Sequence, residues 1–269
     1  MGDLTATEMK AREPWREGDV LVVPLEGDLD LETAPATRER LLRLLAQGHR
    51  NLIADLQHCS YVDSSGVLAL LSVADRATEL GGWLHLRHPS RTLCRVLFLA
   101  HVAERLGVPH TAFPPKQPRS FLDTGVGQWE VARFVLPATP QTCAVARRIV
   151  LAEAARLPLA KEDLADLELA VGEAFANAVR HGSPRGAEDR VTLRTLYSSE
   201  AFVVEITDRG RGFDRSQLTL PSPEEIREGG MGILYMEQLM DAATFESGQW
   251  GTTVRLIKAL PRPAERSCL

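Results

Sequence analysis

The chain has few of the features that mark secreted, membrane-bound or nucleic-acid-binding proteins. Its four cysteines stand far apart without metal-ligand spacing, so we expect reduced thiols and neither a disulfide framework nor a zinc site. No apolar run reaches the roughly 18 residues that a membrane helix needs, and Met1–Asp19 contains no apolar signal core. A net charge of −5 gives no general reason to expect nucleic-acid binding. A soluble cytoplasmic protein without a membrane or direct nucleic-acid partner is predicted.

The length and composition are those of a globular protein with two α/β domains. Hydrophobic residues make up 44% of the chain and charged residues 25%, and each half is long enough to bury its own core. Three prolines within five residues, Pro114, Pro115 and Pro118, cannot continue a helix or a central strand, so they indicate a linker. A helix over Arg91–Leu106 is expected to close the first domain. The predicted order is a tail (1–16), a first domain (17–109), the linker (110–127), a second domain (128–260) and a tail (261–269).

Four short motifs follow one another in the second half. They are Glu173-x-x-x-Asn177, Asp208-x-Gly210-x-Gly212, Gly229-Gly230-x-Gly232 and Gly251-Thr252-Thr253. The Glu and the Asn stand four apart on an apolar helical stretch, so both project from one helix face. A carboxylate there can accept a proton, and an amide oxygen there can hold Mg²⁺ beside phosphates. Asp208 follows a strand-like run and could accept a hydrogen bond from an adenine amino group, while the glycines let backbone N–H groups approach phosphate. Together the motifs describe a nucleotide pocket.

The first half contains an Asp63-Ser64-Ser65-Gly66 turn between a strand predicted over Asn51–Leu56 and an apolar helical stretch (Val67–Thr78). Asp and Ser are preferred N-cap residues, so the turn needs no function beyond starting a helix. A phosphate on one of these serines would also be favoured there, because free N–H groups and the helix dipole attract anions. The residues alone leave both interpretations open.

The second half resembles the GHKL ATPase and kinase superfamily over about Phe134–Lys258. Its segments Glu173–Gly182 and Gly230–Asp241 are most similar to those of the bacterial anti-sigma factor serine kinases. The resemblance implies an α/β sandwich that uses ATP and Mg²⁺, with Glu173 as general base, Asn177 as magnesium ligand and a lid over Asp214–Gly232. It implies the following nucleotide-binding residues: Asn177, Asp208, Gly210, Gly212, Gly230, Gly232 and Thr252.

The first half resembles a STAS domain, and within that group an anti-sigma factor antagonist. The resemblance rests on Val20–Leu25, Gly27–Leu31, Thr33–Leu45 and the Asp63–Gly66 turn. It implies a mixed sheet with helices, and a phosphoacceptor serine directly after the Asp, which here is Ser64; its neighbour Ser65 is the alternative. A phosphate there would add nearly two negative charges to a surface that the partner must touch, and so could break a complex.

The two resemblances together imply a partner-switching regulator of a sigma factor. Its kinase domain would phosphorylate an antagonist serine, either in its own chain or in another. The implied partners are a sigma factor, a separate anti-sigma factor antagonist, a PP2C-type phosphatase and a second copy of the chain. Two alternatives stay open: a non-catalytic, nucleotide-gated module that sequesters a sigma factor or an antagonist, and a stand-alone ATPase, because related ATPases use the equivalent Glu to activate water.

Overall fold

A computed structural model describes residues 12–109, 129–212 and 231–261. The predicted linker, most of the predicted lid, residues 1–11 of the first predicted tail and residues 262–269 of the second lie outside these residues. Gly229 and Gly230 also lie outside them. The described residues form two sheets, and each sheet carries its own helices. The two-domain α/β fold class that the sequence predicts is therefore confirmed.

The first domain is built on a four-stranded mixed sheet in the order β1-β2-β3-β4. Its elements are β1 (Trp15–Glu17), β2 (Val20–Leu29), α1 (Ala34–Ala46), β3 (Asn51–Val62), α2 (Ser64–Glu79), β4 (Trp83–Arg87), α3 (Arg91–Leu99) and a 3₁₀ turn (Glu104–Leu106). The β2–β3 and β3–β4 pairs are parallel, and the β1–β2 pair is antiparallel. Parallel neighbours need crossover connections, which α1 and α2 supply.

Two sequence predictions for this domain are corrected by the structure. The strand predicted to end at Leu56 continues as β3 to Val62, because β2 stays paired with it through two register shifts. The helix predicted over Arg91–Leu106 is wrong in its second half. The helix ends at Leu99, His101 takes a left-handed φ of 57°, and a 3₁₀ turn follows. The apolar spacing holds across this break because Val102 and Leu106 are buried like the helical residues before them.

The second domain is a two-layer sandwich of an antiparallel sheet and helices. The sheet order is β5-β6-β7-β9-β8, and every neighbouring pair is antiparallel. Its elements are β5 (Glu130–Pro137), α4 (Pro140–Ala154), α5 (Lys161–Arg180), a 3₁₀ turn (Gly186–Glu188), β6 (Arg190–Tyr197), β7 (Ala201–Thr207), α6 (Met231–Leu239), β8 (Ala242–Gly248) and β9 (Gly251–Ala259). Strands β6 and β7 form one hairpin, and β8 and β9 form the last strand pair.

Helix α5 is the central helix of this domain. Leu167, Ala170, Val171, Ala174 and Ala178 recur at helical spacing, and all five are buried in the core of the sandwich. Burial of this stripe fixes the rotation of the helix about its axis. As a result, the face of α5 that carries Glu173 contacts the first domain.

The two domains share an apolar contact. The core of the first domain continues into the second through four side chains of α5 and α6: Leu169, Met231, Tyr235 and Leu239. The N-terminus of α2 lies at this junction, because Ser64 contacts α5 directly. The Asp63–Gly66 turn is therefore held against the helix that carries the predicted catalytic motif.

Candidate active site at the domain interface

The predicted phosphoacceptor and the predicted general base meet across the domain interface. Ser64 is the first residue of α2, and the Asp63 side chain caps the helix by accepting from the backbone N–H of Ser65 and of Gly66. The Ser64 N–H donates to Glu173 Oε1 at 2.6 Å, and Ser64 Oγ donates to Glu173 Oε2 at 2.7 Å. Only 1% of Glu173 is exposed, so water is excluded from this pair.

Ser65, the alternative acceptor, is placed differently. Its Oγ accepts a hydrogen bond from Arg180 Nη2 at 2.7 Å, and the structure gives it no contact with Glu173. Arg180 stands seven residues after Glu173, two helical turns along the same face of α5. Sequence reasoning missed this arginine, although the seven-residue spacing was available as a signal. Arg180 places a positive charge beside the Asp63–Gly66 turn.

The electrostatics of the site favour proton acceptance by Glu173. Burial raises the pKa of Glu173 well above its ordinary value, and the nearby Asp63 carboxylate raises it further; the Ser64 hydrogen bonds and Arg180 act in the opposite direction. Burial likewise raises the pKa of Asp63, against the two backbone N–H groups that it accepts from. A carboxylate with a raised pKa is a stronger base than an ordinary glutamate, which is what a serine hydroxyl requires.

Asp208 lies in a cradle of glycines at the end of β7. Its Oδ1 accepts from the backbone N–H of Gly210 at 2.9 Å and of Thr252 at 3.1 Å. A Cβ added to Gly182 would overlap the Asp208 carboxylate, and one added to Gly251 would overlap its carbonyl oxygen. Within the described part of the chain, Asp208 Oδ2 accepts no hydrogen bond. This oxygen fits the predicted contact with an adenine amino group.

Asn177 lies one helical turn after Glu173 and is half-buried. Among residues 12–109, 129–212 and 231–261 its side chain has no hydrogen-bond partner, and no cluster of three or more His, Cys, Asp or Glu side chains could hold a metal ion. A magnesium ion on Asn177 would therefore take its other ligands from phosphate oxygens and water, which is its usual coordination in nucleotide sites. The amide oxygen of Asn177 suits that role.

The predicted glycines lie in two places, one beside Glu173 and the other just after β7. Gly232, at the start of α6, packs on the base so closely that a Cβ there would overlap Glu173 Oε2. Gly212 takes a left-handed φ of 73° beside Gly248 in the β8–β9 hairpin, and Gly210 packs on the backbone of Gly182. Gly230 lies outside the described residues. Helix α5 and its end connect both groups, because Glu173 and Gly182 stand on one continuous segment.

A buried arginine supplies a second link between the domains. Arg147 of α4 is 2% exposed; its guanidinium donates to the carboxylates of Asp28 and Asp30 and lies 3.7 Å above the ring of Tyr61. Arg95 of α3 makes a further ion pair with Asp166 of α5. No sequence motif pointed to these residues. Buried ion pairs contribute more to the specificity of an interface than to its stability, because both charges lose their hydration.

The family models and curated relatives each match one half of the chain. Residues 136–258 match the family described as "Histidine kinase-like ATPase domain", and residues 14–113 match the family described as "STAS domain". "Serine-protein kinase RsbW" of Bacillus pumilus (strain SAFR-032) is 30% identical over 143 residues, which cover 49% of this chain and 88% of the relative. "Anti-sigma F factor" of Bacillus subtilis (strain 168) is 29% identical over 130 residues, or 46% of this chain and 89% of the relative.

Among solved structures, the crystal structure of the RsbU and RsbW domains of a Mycobacterium tuberculosis protein is 22% identical, with a TM-score of 0.38. The match covers 50% of this chain and 33% of that one. In the described part of this chain, no helix is long and apolar enough to cross a membrane. Its first half is a STAS domain, and through its second half the chain belongs to the RsbW family of serine-protein kinases.

Proposed function

We propose that this protein is a regulatory serine kinase that transfers the γ-phosphoryl group of ATP to Ser64 of its own STAS domain. The observation that carries the proposal is the pair of hydrogen bonds, 2.6 and 2.7 Å long, from Ser64 to the Glu173 carboxylate. A general base must lie within hydrogen-bond reach of the proton that it removes, and Glu173 does. The names of the relatives, a serine-protein kinase and an anti-sigma factor, support a role in partner switching around a sigma factor.

In the proposed reaction, Ser64 Oγ attacks the γ-phosphorus of ATP. A serine–phosphorus ester bond forms, the bond from the γ-phosphorus to the β–γ bridging oxygen breaks, and ADP leaves with that electron pair. Glu173 accepts the proton of the Ser64 hydroxyl. Catalysis in such transfers comes mainly from positioning and charge stabilisation, so few side chains are needed. Mg²⁺, held by Asn177, would neutralise phosphate charge, and Asp208 would hold the adenine.

The product explains how phosphorylation would change partners. A phosphate on Ser64 places about two negative charges beside the buried carboxylates of Glu173 and Asp63, so the STAS domain is repelled from α5. The uncovered surface of α5 and α6 then becomes available to a sigma factor or to a separate antagonist. A PP2C-type phosphatase would restore the docked form. A cytoplasmic location, a homodimer and the absence of direct nucleic-acid binding belong to the same proposal.

One observation favours the alternative of a non-catalytic clamp. Both oxygens of Glu173 are occupied by Ser64, so a docked STAS domain blocks access of any other substrate to the base. If ATP cannot enter this docked state productively, the chain would switch between closed and open forms with nucleotide and transfer no phosphate.

Intact-mass spectrometry of the full chain with Mg-ATP tests the proposal. We expect one phosphate on the wild type and on Ser65→Ala, and none on Ser64→Ala or Glu173→Gln. The labelling rate should not change with protein concentration, because the acceptor is in the same chain. If Ser64→Ala still takes up phosphate, the acceptor is a residue other than Ser64. ATP binding without label would support the clamp, and steady phosphate release without label would support an ATPase.

A further inference from the structure

A glycine lies in the interior of α5, on the side that faces the first domain. Gly172 directly precedes Glu173, is buried, and does not have a positive φ. Glycine in a helix interior is less stable than alanine, so its presence here needs another cause. The two nearest atoms to a Cβ added at Gly172 come from the other domain: it would overlap Tyr61 Oη and lie 3.0 Å from Tyr61 Cζ, whereas Arg147 Cδ of α4 would lie 3.2 Å away. The overlap that excludes a side chain here therefore comes from the first domain.

Tyr61 is the side chain that fills the space above Gly172. It lies on β3, three residues before Ser64, and is 7% exposed with its ring under the Arg147 guanidinium. Its hydroxyl is buried and has no hydrogen-bond partner in the described part of the chain. Burial of an unpaired hydroxyl is unfavourable, so hydrogen bonding does not account for a tyrosine here. The hydroxyl fits because α5 lacks a side chain at this one position.

We propose that Tyr61 and Gly172 form a matched steric pair that determines which STAS domain this kinase site accepts. The inference rests on the proposed function and adds a specificity determinant to it. Tyr61 stands three residues before the acceptor, and Gly172 stands next to the base. A side chain at residue 172 therefore pushes β3 away from α5 and moves Ser64 Oγ out of reach of Glu173. Tyr61 and Gly172 are positioning residues, and neither takes part in the chemistry.

The pair predicts a rescue that a merely structural role would not produce. Gly172→Ala should lower the rate of Ser64 phosphorylation about 100-fold, the loss that a misplacement of about 1 Å causes. Adding Tyr61→Phe removes the overlapping oxygen and leaves approaches of 3.0 Å to the ring and 3.2 Å to Arg147 Cδ, which shifts of a few tenths of an ångström relieve. The double variant should recover most of the rate. Tyr61→Phe alone should cost less than Gly172→Ala.

The experiment uses the full chain in four forms: wild type, each single variant and the double variant. The initial rate of Ser64 phosphorylation is measured by intact mass at saturating Mg-ATP. Amide hydrogen exchange in the first turn of α2 reports docking in the same samples without any need for catalysis. We expect Gly172→Ala to speed this exchange, and the double variant to slow it again. ATP affinity should stay the same in all four forms, which shows that the second domain is folded.

The outcomes separate the two proposals. If the wild type takes up no phosphate but exchange follows the expected order, the kinase assignment fails and the steric pair stands. If Gly172→Ala phosphorylates Ser64 and exchanges like the wild type, the steric pair is overturned. The same conclusion follows if the double variant is no better than Gly172→Ala, because an overlap with Tyr61 Oη would then not be the cause. If neither Gly172→Ala nor the double variant binds ATP, Gly172 is needed for folding of the second domain, and the steric pair is overturned.

Discussion

Loss of Arg147 should separate the two domains while the nucleotide site stays intact. The Arg147→Ala variant leaves Asp30, whose side chain is 3% exposed, without its charge partner, and it removes the cation that lies on the Tyr61 ring. Removal of one member of a buried ion pair costs about 3–5 kcal/mol. Each 1.4 kcal/mol is roughly a factor of ten in an equilibrium constant, so docking should weaken by about two to three and a half orders of magnitude. In the proposed reaction the docked form is the reactive one, so labelling of Ser64 should slow accordingly.

The neighbouring arginine provides the control. Arg148 is exposed and follows Arg147 on the same helix, so Arg148→Ala removes the same charge from the chain without touching the interface. Both variants are compared by the labelling rate of Ser64 and by hydrogen exchange in the first turn of α2. The reasoning is refuted if Arg147→Ala labels Ser64 at the wild-type rate, or if Arg148→Ala is equally slow. ATP affinity should be the same for both.

Three further predictions concern charge at the site. Because the pKa of Glu173 is raised, the labelling rate of docked chains should rise with pH through a value well above that of an ordinary glutamate, and Glu173→Gln should take up no phosphate at any pH. Docking of the two domains should have the opposite pH dependence. It should be strongest at acidic pH and weaken as pH rises through the raised pKa values, because Glu173 and Asp63 then both carry charge. Hydrogen exchange in α2 across a pH series checks this. Asp208→Asn should weaken ATP binding by about tenfold to 100-fold, as expected for one lost hydrogen bond to a charged group. Calorimetric titration measures the ATP affinity, and hydrogen exchange in α2 should stay unchanged.

The local features of the site could be predicted from the sequence. Asp63 caps α2 because Asp followed by two serines before an apolar stretch satisfies the free N–H groups of a helix start. Glu173 and Asn177 share a face because four residues make about one turn, and the apolar helical stretch that carries them is part of α5. These properties depend on neighbours within a few residues, and a short window of sequence contains them.

The contact between the domains could not be predicted in the same way. Ser64 and Glu173 are 109 residues apart, and no periodicity relates two surfaces that fold separately. Arg147 has the sequence context of an ordinary helical arginine, and Gly172 has that of a tolerated helix glycine. The contacts that distinguish them are made with the first domain. The incorrect end of the helix predicted from Arg91 has a related cause, because apolar spacing records which residues are buried and not the φ at His101.

The spacing of groups along α5 has a consequence for how the chain can change in evolution or design. Glu173 meets the acceptor serine, Asn177 is expected at the phosphates, and Gly182, just past the helix end, packs on the residue expected to recognise adenine. A helix turns about 100° and rises about 1.5 Å per residue. One residue inserted between Glu173 and Gly182 would therefore rotate one substrate contact away from the other. In the proposed site, substitutions on α5 can change the acceptor that it meets, but its length between these residues must match the nucleotide that it would span.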